Sequence, residues 1–212
     1  MHLQWLESRF LRRIDLAERR LGAYLQQVAG LPTRGAQLHE LEGWLSEVWQ
    51  TWCRFCRRAV VESCLGSVTC SGVILQPTYA SEGHVSFVAS KQKRGVAPRA
   101  LGVNTVLRLE PTWGHVDKLL EVIQALAPPN AVGLSSAFGT VPSIEHVRLI
   151  RNSTAHMNTQ TMAEVMTVQP QYVAFPVRHP LQALFWQDSV AGKPLIHARL
   201  DDMRVAAMNA CL

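Results

Sequence analysis

Residues 151–156 bring an arginine, an amide and a histidine close together in Arg151-Asn152-Ser153-Thr154-Ala155-His156. Those side-chain types suit phosphodiester chemistry. A guanidinium grips a phosphate through two parallel hydrogen bonds. An imidazole, whose ordinary pKa is near neutrality, gives or takes a proton at the attacking or leaving oxygen. The segment reads as part of one helix opened by Pro142-Ser143, with Ser143 as its cap. The apolar stripe of that helix is Ile144, Val147, Ile150, Thr154, Met157, Thr161 and Val165. On a continuous helix Asn152 and His156, four residues apart, share a side away from that stripe. Arg151 stands about 140° around the axis from His156, within reach of a curled arginine. The competing reading makes Arg151 and His156 solvated residues on an exposed face.

A helix of this kind needs a scaffold, and the start of the chain supplies one. Leu3, Leu6, Phe10, Ile14, Ala17, Leu21, Leu25 and Val28 recur at spacings of three and four, the signature of one helix face. Gly30 and Pro32 end that helix. A second runs from Gln37 to Cys64 with a seam of Leu38, Leu41, Leu45, Val48, Trp52, Phe55 and Ala59. Trp49, Cys53, Cys56 and Val60 widen the seam, which predicts burial on more than one side. The short link Leu31–Ala36 makes the pair an antiparallel hairpin.

From Gly66 to Pro111 the pattern changes. Val68–Leu75, His84–Ala89 and Val103–Leu109 alternate as short strands do. Lys91-Gln92-Lys93-Arg94-Gly95, followed by Pro98-Arg99, reads as a basic loop. Helical pattern resumes at Trp113, capped by Thr112, with Val116, Leu119, Leu120, Ile123 and Leu126 as its apolar face. A short helix is expected over Ala131–Phe138, a strand over Tyr172–Val177 and a helix over Leu195–Met208. The expected class is therefore mainly α, with a small β-containing insertion and a C-terminal extension.

The chain has 212 residues, 48% of them hydrophobic and 17% charged. That suffices for a buried core and argues against long disordered tails. The net charge of +5 and pI of about 9.2 favour a polyanionic partner without specifying a fold. No run of apolar residues is long enough to span a membrane. Residues Met1 to Arg20 mix apolar with charged side chains, unlike a signal peptide. Five cysteines, an odd number, then point to free thiols in a reducing, cytoplasmic setting.

The run Arg151-Asn152-Ser153-Thr154-Ala155-His156 resembles the signature of the HEPN ribonucleases, an arginine followed after four to six residues by histidine, often with a polar residue beside the arginine. The resemblance covers residues 1–66 and 112–166 and is strongest from Ile144 to Ala163. It implies a single HEPN-like helical bundle over 1–212. A helical hairpin (1–66) precedes a β-rich insertion (67–111), the motif-bearing helices (112–166) and a C-terminal extension (167–212). It further implies a metal-independent endoribonuclease needing no cofactor, in which the ribose 2′-hydroxyl attacks the adjacent phosphate and leaves a 2′,3′-cyclic phosphate. His156 would be general acid or base, Arg151 would stabilise charge on the phosphate, and Asn152 would orient either. Such proteins dimerise with two motifs facing one cleft. Many act as toxins or antiviral effectors held by an antitoxin or regulatory protein. The alternative is a HEPN-like helical interaction or RNA-binding subunit without catalysis.

Candidate RNA contacts are Lys91, Lys93, Arg94 and Arg99 of the basic loop, and Arg148 on the motif helix. Cys53-x-x-Cys56 has half the spacing of a zinc site, but a closed site needs four ligands. On an apolar helix both are expected to pack as small hydrophobes. His115 and His146 are expected to cap helices or lie on the surface. His179 and His197 are candidate RNA contacts in the tail. Trp44, Trp49 and Trp52 read as core.

Overall fold

A computed structural model describes residues 2–28, 30–92 and 110–212. The architecture is mainly helical. The chain divides into two compact units. The first comprises residues 1–11, 52–142 and 205–212, and the second residues 12–51 and 143–204.

The helices α1 (Leu3–Val28) and α2 (Gly35–Leu65) form where the spacing of apolar residues predicts them. In the first unit Phe10 meets Phe55, with ring centroids 4.4 Å apart. Trp52 is fully buried beside them, and its indole donates to the carbonyl of Gly114 at 3.2 Å. In the second unit the indole of Trp44 donates to the Ala17 carbonyl at 2.8 Å, and Arg20 pairs with Glu47 at 3.0 Å. Tyr24 donates to the Gln37 carbonyl. From the pair Ala17 and Trp44 to the pair Tyr24 and Gln37, one partner number rises as the other falls, as an antiparallel hairpin requires.

Between Gly66 and Leu75 the expected strand shrinks to a hairpin of β1 (Ser67–Val68) and β2 (Ile74–Leu75), which pair antiparallel. Thr69 and Gly72 make the turn. Gly72 takes φ +85°, a conformation that suits a residue without Cβ. The strand expected over His84–Ala89 is instead a helix, α3 (Glu82–Lys91). Ser81 caps it by accepting from the His84 amide, and Val85, Ser86, Ala89 and Ser90 are buried at helical spacing. Lys91, expected in a loop, ends this helix. The strand expected over Val103–Leu109, and Lys93, Arg94 and Arg99, lie outside the described residues.

α3 packs on α4 (Val116–Leu126), and α4 on α5 (Ala131–Gly139). The cap position of α4 is His115, not Thr112. Thr112 instead accepts the His115 amide through its carbonyl in the preceding turn. A salt-bridge cluster joins these parts. Arg57 holds Glu110 through Nε at 2.6 Å and Nη2 at 2.8 Å, and its Nη1 holds Glu82 at 2.7 Å. Burial raises the Glu110 carboxyl pKa, but hydrogen bonds from Arg57, Ser86 and Trp113 outweigh it and hold the pKa below its ordinary value.

In the second unit, the helix expected from Ser143 through Val165 is broken. A 3-10 turn (Pro142–Ile144) leads into α6 (Glu145–Ala155), and α7 (Thr159–Met166) follows. α6 packs on α7 and on the 3-10 turn Pro180–Phe185. The strand expected over Tyr172–Val177 is confined to β3 (Tyr172–Val173), paired antiparallel with β4 (Gln187–Asp188). α8 (Leu195–Cys211) fulfils the last helical expectation. Among the described residues no helix is long and apolar enough to cross a membrane.

Replacing Arg57 by Met should cost about 3 kcal/mol, because it strands the Glu110 carboxylate in a buried position. Urea unfolding of the variant against wild type measures the loss. A cost below about 1 kcal/mol would mean that the cluster behaves as a surface pair.

Candidate nuclease site

α6 carries the three motif residues, and its end decides their geometry. The helix buries His146, Val147, Ile150 and Ser153. Arg151 and Asn152 lie beside that buried face and are half-buried. The Arg151 guanidinium donates to Asn152 Oδ1 at 3.3 Å. No carboxylate among the described residues pairs with Arg151, whereas Arg148 is paired with Glu145 of its own helix. The structure therefore commits one candidate RNA contact, Arg148, to an internal ion pair.

His156 is not on the helix face that a continuous helix would give it. It is the C-cap residue, with φ −134° and ψ 53°, and its amide still donates to the Asn152 carbonyl. The cause is Asn158, which starts α7. Asn158 Oδ1 accepts the Thr161 amide at 3.0 Å, and Thr161 Oγ1 accepts the Asn158 amide at 3.2 Å. This reciprocal cap satisfies amides that a continuous helix would have paired with carbonyls of the preceding turn. The His156 carbonyl accepts from both Asn158 Nδ2 and Thr161 Oγ1, at 2.9 Å each. Its backbone is thus fixed while the residue stays exposed. Ser153 Oγ donates to Thr161 Oγ1 at 3.4 Å, a second tie between the two helices. Asn-x-x-Thr was the signal in the sequence for this break.

Of the other candidates, Lys91 belongs to the first unit, where its ammonium sits 4.4 Å from the Phe87 ring centroid. His179 accepts the Leu181 amide and caps a 3-10 turn, and His197 Nδ1 lies 2.8 Å from Glu18. Both tail histidines thus have structural partners. Cys56 is buried and Cys53 half-buried on α2. Burial raises the pKa of the Cys56 thiol, and that of Cys64 to about 12. Burial, helped by Glu7, takes Cys70 to about 12. Such thiols make poor nucleophiles. Among the described residues no three His, Cys, Asp or Glu side chains are grouped to hold a metal ion.

His146 is neither a cap nor a surface residue. It is 7% exposed, and its Nδ1 lies 2.5 Å from the Tyr172 hydroxyl. Arg199 Nη1 donates to that hydroxyl oxygen at 3.3 Å, and Nη2 donates to Asp188 at 2.7 Å. An arginine only donates, so the Tyr172 proton is free to go to His146 Nδ1, which then accepts as a neutral ring. Burial and the Arg199 charge lower the His146 pKa to about 4. Sequence pattern could not reveal this histidine's role, because its partners come from residues 172 and 199.

Comparison with protein families, with curated proteins and with solved structures finds no match for this chain.

Between about pH 6.5 and 4 the unfolded chain takes up a proton at His146 that the folded state refuses. Stability from this group is complete above that window and falls as the pH drops through it. Melting temperatures measured across the window should fall more for wild type than for His146→Gln. Parallel losses in the two proteins would remove His146 as the cause.

Proposed function

We propose that this chain is a metal-independent endoribonuclease of the HEPN type that uses Arg151, Asn152 and His156. The observation that carries the reading is the state of Arg151. Its guanidinium is steadied by Asn152 Oδ1, carries no carboxylate partner among the described residues, and lies on the helix that ends at the exposed His156. In the second unit Arg20, Arg199 and Arg204 each hold a carboxylate. An arginine left without one keeps its donors for a phosphate.

In the proposed reaction the ribose 2′-oxygen attacks the adjacent phosphorus and passes its proton to a base. The bond from phosphorus to the 5′-oxygen breaks, and that oxygen leaves with a proton from an acid. The products are a 2′,3′-cyclic phosphate and a 5′-hydroxyl. Arg151 stabilises the charge that builds on the phosphate oxygens, commonly the largest catalytic contribution. His156 serves as acid or base. Asn152 aligns the guanidinium. One chain offers one such histidine, so a second copy across a two-fold axis supplies the other proton carrier. A toxin or defence effector restrained by a protein partner fits this activity.

Arg151→Ala and His156→Ala should each lower cleavage of mixed RNA roughly 10²–10⁴-fold. His156 is exposed, so its variant should melt like wild type. Near wild-type cleavage by either well-folded variant would remove that residue from the mechanism. Activity should persist in EDTA, since every proton and charge in the scheme is handled by side chains. Loss on chelation with recovery on adding Mg²⁺ or Mn²⁺ would overturn it.

The active unit should be a homodimer whose affinity for RNA weakens as salt rises. Light scattering with and without a non-cleavable RNA tests this. A monomer in both states that still cuts RNA would sink the shared cleft.

A further inference from the structure

An open groove of about 470 Å³ lies along α7, lined among others by Met157, Thr159, Met162, Met166 and Arg178. Its lining begins with Met157, which follows His156 directly in the chain. Met162 and Met166 are four residues apart and stand one above the other on the helix. Met157 is 62% exposed. Thioethers are polarizable and favour contact with flat aromatic rings. Asn158, also in the groove, has its Oδ1 and Nδ2 occupied by the Thr161 amide and the His156 carbonyl. The groove therefore offers apolar surface but no free side-chain amide to read a base edge.

Charge supplies the second half of the recognition. Arg178 is exposed and has no carboxylate partner among the described residues. Its backbone is held by its amide, which donates to Gln182 Oε1 at 2.8 Å. The carboxylate of α7, Glu164, does not line the groove.

The geometry points to a subsite for an unpaired nucleobase of single-stranded RNA, stacked on the methionines, with Arg178 holding a neighbouring phosphate. This rests on the nuclease reading of Arg151 and His156. Two consequences distinguish it. Duplex RNA keeps its bases stacked inside and cannot fill the groove. Stacking without edge contacts tolerates any base, so the site is sequence-tolerant.

The probe is a short 2′-O-methyl oligonucleotide carrying one thio-substituted base, which lacks the hydroxyl needed for cleavage. Wild type should bind it as a single strand more tightly than as a duplex, and cross-links should fall within residues 157–166. Met157→Ser, Met162→Ser and Arg178→Gln should each weaken single-strand binding roughly ten-fold. Met157 and Arg178 are exposed, so their variants keep the test valid if Met162→Ser fails to fold. Equal binding of duplex, unchanged affinity in the folded variants, or cross-links only elsewhere would overturn the subsite. So would methionine variants that alter oligomeric state but leave RNA affinity intact, which would mark the groove as a protein interface. Cross-linking in the groove by a protein that cuts no RNA would defeat the nuclease reading alone. Cleavage by wild type with normal binding by the groove variants would defeat the subsite alone.

Discussion

A guanidinium removed from water must find negative charge and acceptors, or the fold bearing it is penalised by several kcal/mol. Arg199, 6% exposed, meets that demand in the second unit. It holds Asp188 at 2.7 Å and Asp202 at 3.0 Å, and donates to Tyr172. Asp188 also accepts the amides of Val190 and Ala191, which closes the loop leading to α8. Tyr172 in turn reaches His146 in the first turn of α6. One buried charge thereby fixes α8, β3, β4 and the beginning of the motif-bearing helix. Asp188, Tyr172 and, through Tyr172, His146 each reach it from a different element, while Asp202 pairs with it inside α8.

The two ends of α6 are held by different physics. At the start, burial and the Arg199 network force a neutral histidine. At the finish, the Asn158 cap competes with helix continuation and prevails, so His156 leaves the helical register with its carbonyl doubly bonded. A histidine inside a continuous helix would be tied to the face dictated by 3.6-residue periodicity. At a C-cap the direction of its side chain is set by the break. Arg151 and Asn152, inside the helix, keep the helical geometry.

The long helices were legible because their cores obey one period over many turns. Leu3, Leu6, Phe10 and Ile14 on α1, and Leu41, Leu45, Val48 and Trp52 on α2, are buried as that period demands. α3 was misread because His84-Val85-Ser86-Phe87 alternates polar with apolar, imitating a strand. The competing signal, a Ser81 cap before buried residues spaced for a helix, is local and weaker. The break after α6 was masked in the same way, since the apolar stripe continues in phase from Ile150 to Val165 while Asn158 interrupts the backbone. Arg151, Asn152 and His156 stand out in the sequence because their types are unusual together. The groove of α7 and Arg178 does not stand out there, because Arg178 meets α7 only through the folding back of the segment that follows that helix.

The first unit is assembled from three stretches of sequence, the last being residues 205–212. Its β-hairpin is tied to that stretch directly. The Cys70 amide donates to the Cys211 carbonyl and Ser71 Oγ to the Leu212 carbonyl, both at 2.7 Å, the latter across 141 positions. On the ribosome, two of its three stretches are made before residue 143, yet it cannot close until everything in the second unit has been made. Its apolar helix faces must wait through that interval, the period in which nascent chains are most prone to aggregate.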